Sequence, residues 1–131
     1  MANAMDQAEA SRTLRNSLAI AAGTTPTTPM MLKLATTTGS ASAAGTEVAG
    51  GSYARQNLTT ALGTEANGSV TTTSAVTFTL MPAATVTSAE IYDSAGTPKR
   101  GWWGALTASK TTASGDTLTF AIGAITISNN N

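Results

Sequence analysis

The stretch AVTFTLMPAATVTSAEIYD, residues 75–93, decides the fold. Val76, Phe78 and Leu80 alternate with Thr77 and Thr79, which is the period of a strand with one face on a core. Pro82 ends that run, since proline cannot donate to a ladder. TVTSAEIYD (85–93) reads as the next strand and SAGTP (94–98) as the turn that closes it.

The same alternation continues outward. GWWGALTASKT (101–111) and TLTFAIGAITI (117–127) are strands joined by the turn TASGD (112–116). Upstream, Asn67-Gly68 is a hairpin turn signal leading into SVTTTS (69–74). MMLKLA (30–35) is a half-buried strand with Met30, Leu32 and Leu34 on one side. SYARQNLTTAL (52–62) places Tyr53, Arg55 and Asn57 opposite Ala54, Gln56 and Leu58. Short strands separated by turn chemistry predict a mainly β protein, an antiparallel β-sandwich of jelly-roll type.

Ahead of the strands lies one helix, DQAEASRTLRNSLAIAA (6–22). Asp6 is placed to cap it, and Gly23 stands where a left-handed end residue belongs. Ala10, Leu14, Leu18 and Ala21 share one narrow apolar face that should dock on its own domain or on a neighbour. The expected organisation is an N-terminal helical arm, 1–23, and a β-sandwich domain, 24–131, ending in a frayed NNN tail. The Gly/Ser/Ala-rich segment 36–51 is a loop of the length that often contacts a partner.

Composition narrows the function. Thr (26) and Ala (25) exceed a third of the 131 residues, which suits pleated surfaces packed closely. Formal charge is zero and the Lys and Arg are scattered, so a sequence-independent nucleic-acid footprint is not expected. There is no Cys and no His, which removes disulfides, thiolate sites and the usual general base. The acidic residues are isolated and fall mostly in turns or caps, where Asp bonds nearby backbone. No catalytic, cofactor-binding or metal site is expected, and the chain reads as a non-enzyme. No run reaches the length of a membrane span, and the N-terminus lacks the order of a secretion signal. Folding in a cytoplasm is expected.

Trp102 and Trp103 lie side by side, yet neighbours in a strand point to opposite faces. Trp102, Gly104, Leu106 and Ala108 share the core parity, leaving Trp103, Ala105 and Thr107 opposite. Trp103 is then either covered by the helix or a loop of its own chain or set into a subunit interface. A stacking platform for carbohydrate is the third choice. Leu14, Leu18, Tyr53, Arg55 and Trp103 are the candidate interface residues. Arg55 is either a solvated strand charge or an ion-pair partner across subunits.

Several stretches, PTTPMMLKLA, GTEVAGGSYARQ, AVTFTLMPAAT, EIYDSAG and GALTASKTTASGDTLTFAIGAITI, occur in that order. Together they resemble a family of small tailed-bacteriophage virion proteins, labelled tail fibre proteins and in some phages likened to head decoration or cement proteins. The resemblance runs from about residue 24 to 127, with GGSYAR and SKT…SGDTLTF as its most specific parts. The preceding helix fits it too. Members often carry a Trp-Gly pair after the segment equivalent to MPAAT, where this chain continues into VTSAEIYD. Relatives also tend to have an Asp-Pro turn where loop 36–51 is Ala/Ser-rich. The resemblance implies a role in the virion and supplies no catalytic residue. The expected function is a capsid decoration or cement protein, homo-oligomeric with a trimer as one candidate, bridging major capsid proteins on the outer shell. A tail fibre or tail-tip component touching the host is the alternative, and a carbohydrate-binding or enzymatic module comes third.

Overall fold

The computed structural model describes residues 4–129. Of the expected frayed tail, residues 130 and 131 lie outside the described residues. The elements are β1 (Ala4–Met5), α1 (Gln7–Ser17), β2 (Met31–Ala35), β3 (Gln56–Asn57), a 3-10 turn (Thr59–Ala61), β4 (Ser69–Thr71), β5 (Val76–Met81), β6 (Ala84–Tyr92), β7 (Arg100–Thr112), β8 (Asp116–Phe120) and β9 (Thr126–Ser128). Every strand pairing is antiparallel. A five-stranded sheet in the order β1-β7-β6-β2-β3 packs with two ribbons, β4-β9 and β5-β8. This is a mainly β sandwich with one N-terminal helix, as the alternating pattern predicts.

The core lies between these layers. Leu32, Leu34, Ala89 and Ile91 of the large sheet meet Val76, Phe78 and Met81 of β5, with Leu58 and Ile125 closing the edges. Phe78 sits at the centre, with Tyr53 stacked on it at 5.9 Å and Phe120 edge-on at 6.2 Å. Such offset and edge contacts add to the area that aromatic rings bury.

Four local departures from simple alternation shape the surface. First, β5 slips register between Phe78 and Met81. Leu80 takes a positive φ of 51 and turns outward, and Met81 replaces it in the core. The bulge frees the Leu80 carbonyl to accept from the Ser52 N–H at 3.1 Å. Second, only Gln56–Asn57 of the expected strand 52–62 ladders. Beyond it the chain turns into the 3-10 turn, because Leu58 and Ala61 are drawn into the core and the Leu58 N–H bonds the Met30 carbonyl at 2.8 Å.

Third, the helix stops at Ser17, short of residue 22. Ala19, not Gly23, takes the left-handed position, at φ 53. The Ala19 N–H bonds Asn16 O (3.2 Å) and the Ile20 N–H bonds Arg15 O (3.0 Å), the double closure of a Schellman end. Fourth, β7 bulges twice against β6, between Ala105 and Lys110 and again beside Gly101. Trp102, Gly104 and Leu106 keep the expected core side, but Ala108 lies in the larger bulge and is exposed. The Asn67-Gly68 turn forms as expected, with both residues at positive φ and Ala66 bridged to Ser69.

Candidate contact surfaces

The large sheet has a second face, and it is charged. Lys33, Glu90, Trp103 and Ala4 stand in one row across β2, β6, β7 and β1. Glu90 is 0% exposed and Lys33 only 3%. A buried charge is tolerated only when paired and hydrogen-bonded. Here Glu90 Oε2 accepts from Lys33 Nζ at 2.7 Å, while Oε1 accepts from Gly45 N (2.6 Å) and Arg100 Nη1 (3.0 Å). Lys33 also donates to the Gly45 carbonyl at 3.0 Å. Arg100 reaches on to Asp6 Oδ2 through Nε (2.9 Å) and Nη2 (2.7 Å), and to the Ala43 carbonyl (2.9 Å).

The cover is residues 36–47, the larger part of the segment 36–51 read as a partner-seeking loop. Its inner side lies on the charged layer and supplies main-chain groups to it. That use explains its small residues. A Cβ on Gly45 would stand 2.1 Å from the Thr37 carbonyl oxygen, so no other residue brings that N–H to Glu90. Burial alone would raise the Glu90 carboxyl. The Gly45 N–H, Lys33 and Arg100 outweigh it and hold the group below the usual carboxylate range.

A second cluster adjoins this layer. Arg55 grips Glu47 with two bonds of 2.8 Å, and its guanidinium lies 4.6 Å from the centre of the Tyr92 ring. The Arg55 contact, more than any other, lowers the Glu47 carboxyl. The Tyr53 hydroxyl accepts from Leu34 N (2.9 Å) and donates to Glu47 at 3.3 Å, and burial pushes its ionisation up. Tyr53 and Arg55 therefore share Glu47. Trp103 is half-buried on the charged face, 6.0 Å from the Arg100 guanidinium, and its indole N–H is buried without a hydrogen-bond partner among the described residues.

Leu14 and Leu18 stand apart from all of these. α1 is tied to the sheet by its N-terminus: Asp6 N bonds Gly101 O and Gln7 N bonds Ala41 O, both at 2.9 Å. Asp6 caps the helix through Ala8 N (2.8 Å), and Glu9 pairs with Arg12 instead of reaching back to the cap. The side turned inward is the polar one, with Glu9, Ser11, Arg12 and Thr13 partly covered. The apolar side faces outward, leaving Leu14 58%, Leu18 60% and Ile20 70% exposed. A helix normally buries its apolar stripe. This one shows it.

A further concavity of about 530 Å³ runs between the second half of β7 and β8. Leu106, Ala108, Leu118 and Phe120 line it, with Ala121 and Ala124 at one end. Beyond Trp103, β7 pairs only with β6, and β8 pairs only with β5, so each has one edge without a strand partner among the described residues. Sequence reading missed the charged layer and this groove. A lysine and a glutamate in mid-strand, each between apolar neighbours, were the available signal for the first. Nothing local signalled the second, because it depends on the β7 bulge.

Fold and surfaces together define a small antiparallel β-sandwich that exposes an apolar helix stripe and a groove between β7 and β8. The chain belongs to the family of podophage GP4 fiber I protein gp80, whose family model matches residues 8–128. It is a structural protein of a tailed-bacteriophage virion, of the kind labelled fibre. No curated protein matches it.

Proposed function

We propose that the chain is a fibre component fixed to the phage particle, acting by contact and without catalysis. The observation that carries this reading is the match to a fibre protein family over nearly the whole chain. The surfaces support it: the Lys33, Glu90, Arg100 and Asp6 charges are paired inside the molecule, and an apolar helix stripe and a groove walled by Leu106, Leu118 and Phe120 are open to solvent. The chain assembles in the host cytoplasm and contacts copies of itself.

The second reading is a capsid decoration protein bridging major capsid proteins. The Leu14–Leu18 stripe on an otherwise neutral, Thr-rich molecule suits many weak contacts multiplied by copy number. Co-sedimentation of the purified chain with tailless heads and with isolated tails separates the two. Saturable binding to tails at a few copies per particle supports the fibre. Binding to heads at many copies, with a raised capsid melting temperature, replaces it with the decoration reading. Binding to neither refutes both.

A further inference from the structure

Apart from Leu80 on the β5 bulge, the exposed large apolar side chains among the described residues stand at two places. Leu14, Leu18 and Ile20 form one. The other is Ile122, 70% exposed on the turn after β8, whose neighbours Ala121 and Ala124 line the groove between β7 and β8. The two places lie toward opposite ends of β7. α1 begins at Gly101, and Arg12 and Arg15 border a cavity with Thr24 and Lys99, so the helix runs away from the groove. Against β6 this stretch of β7, with Arg100 opposite Tyr92 and Lys110 opposite Val86, covers about six residues of sheet, roughly 20 Å. No residue of α1 lines the groove of its own chain, and the apolar stripe stays exposed.

We propose that the apolar stripe of α1 docks in the β7/β8 groove of a second copy, making a head-to-tail contact. Three observations select a second copy as the occupant. The helix presents an apolar ridge where the groove presents Leu106, Ala108, Leu118 and Phe120 among threonines, and each lacks a covering element in its own chain. The charges match: Arg15, beside the stripe, has no ion-pair partner among the described residues, and Asp116 lines the groove with no cation on its carboxylate. Lys110, in the same lining, suits the negative end of the helix dipole. Finally, a formal net charge of zero puts no long-range repulsion between copies.

Because the two surfaces differ, each copy keeps a free helix at one end and a free groove at the other. Such contacts either close into a ring or grow as a filament. The inference does not depend on where the chain sits on the particle, and co-sedimentation with heads or tails leaves it untouched.

Sedimentation velocity of the full chain over a concentration series tests it. Leu14→Glu/Leu18→Glu breaks the ridge and keeps the groove. Ala108→Arg fills the groove and keeps the ridge, with Ala121→Arg as a second groove variant should the first lose its near-ultraviolet circular dichroism. The wild type is expected to self-associate, and each variant alone to raise the dissociation constant at least about tenfold, as loss of an interface anchor does. An equimolar mixture of ridge and groove variants restores one contact and is expected to stop at a one-to-one dimer. A wild type that stays monomeric throughout overturns the proposal. So does assembly that either variant class leaves intact, or a mixture that shows no heterodimer.

Discussion

Glu90 concentrates the consequences of folding into one side chain. Three strands and a loop converge on it, and four donors, from Lys33, Gly45, Arg100 and the Tyr92 hydroxyl, share its two oxygens. Removing one partner from such a set leaves the others charged and dry. Glu90→Ala is therefore expected to lower the unfolding free energy by roughly 3–5 kcal/mol, measured by denaturant titration. A loss below about 1 kcal/mol would show that water already reaches the layer. Phe78 and Val76 were legible from the alternation in 75–81, because a core position needs only the right period. Lys33 and Glu90 were not. Alternation put them on the far face, but whether that face is wet depends on where residues 36–47 lie. Leu80 was misplaced for a related reason: the pattern holds only until a bulge shifts it, and the bulge is decided by the partner strand.

At the scale of elements, α1 shows how a correct local reading can leave the tertiary placement open. The cap at Asp6 and the apolar stripe were both legible. That the stripe faces solvent was not, because the docking is set by main-chain bonds at the helix start and by Asp6 with Arg100. Asp6→Ala should remove about 1 kcal/mol of capping along with the Arg100 contact. Hydrogen exchange should then quicken across 7–17 while β5 and β6 keep their protection, and equal loss everywhere would count against a separable arm. Serine at Leu14 and Leu18, by contrast, should leave thermal unfolding of the monomer within about 0.5 kcal/mol per site, as exposed positions do. The covering loop is less tolerant. Gly45→Ala forces a main-chain clash and displaces a Glu90 donor, so its melting temperature should fall well below that of an Ala substitution at the open Gly96.

For the whole molecule, the paired carboxylates set the response to acid. Glu90 and Glu47 titrate below the usual range in the folded chain and near about 4.3 in the unfolded one. As pH falls, the unfolded state takes up protons first. The stability they contribute is thus complete above about pH 5 and is lost as pH drops through the unfolded value toward the folded ones. No histidine is present to add a step near neutrality. Urea unfolding at pH 7, 5 and 3.5 should give two similar values and then a lower one, and a maximum near pH 3.5 would contradict this account.

The adjacent tryptophans give the molecule one further property. They are its only two indoles, and the strand sends them to different environments, Trp102 against the aliphatic core and Trp103 beside Arg100 under the charged cover. Each is a separate native fluorophore. A Trp102→Phe chain emits only from beneath the arm and loop, and a Trp103→Phe chain only from the sandwich interior. Emission from the pair can therefore time the lifting of the cover independently of the melting of the core, with no label added.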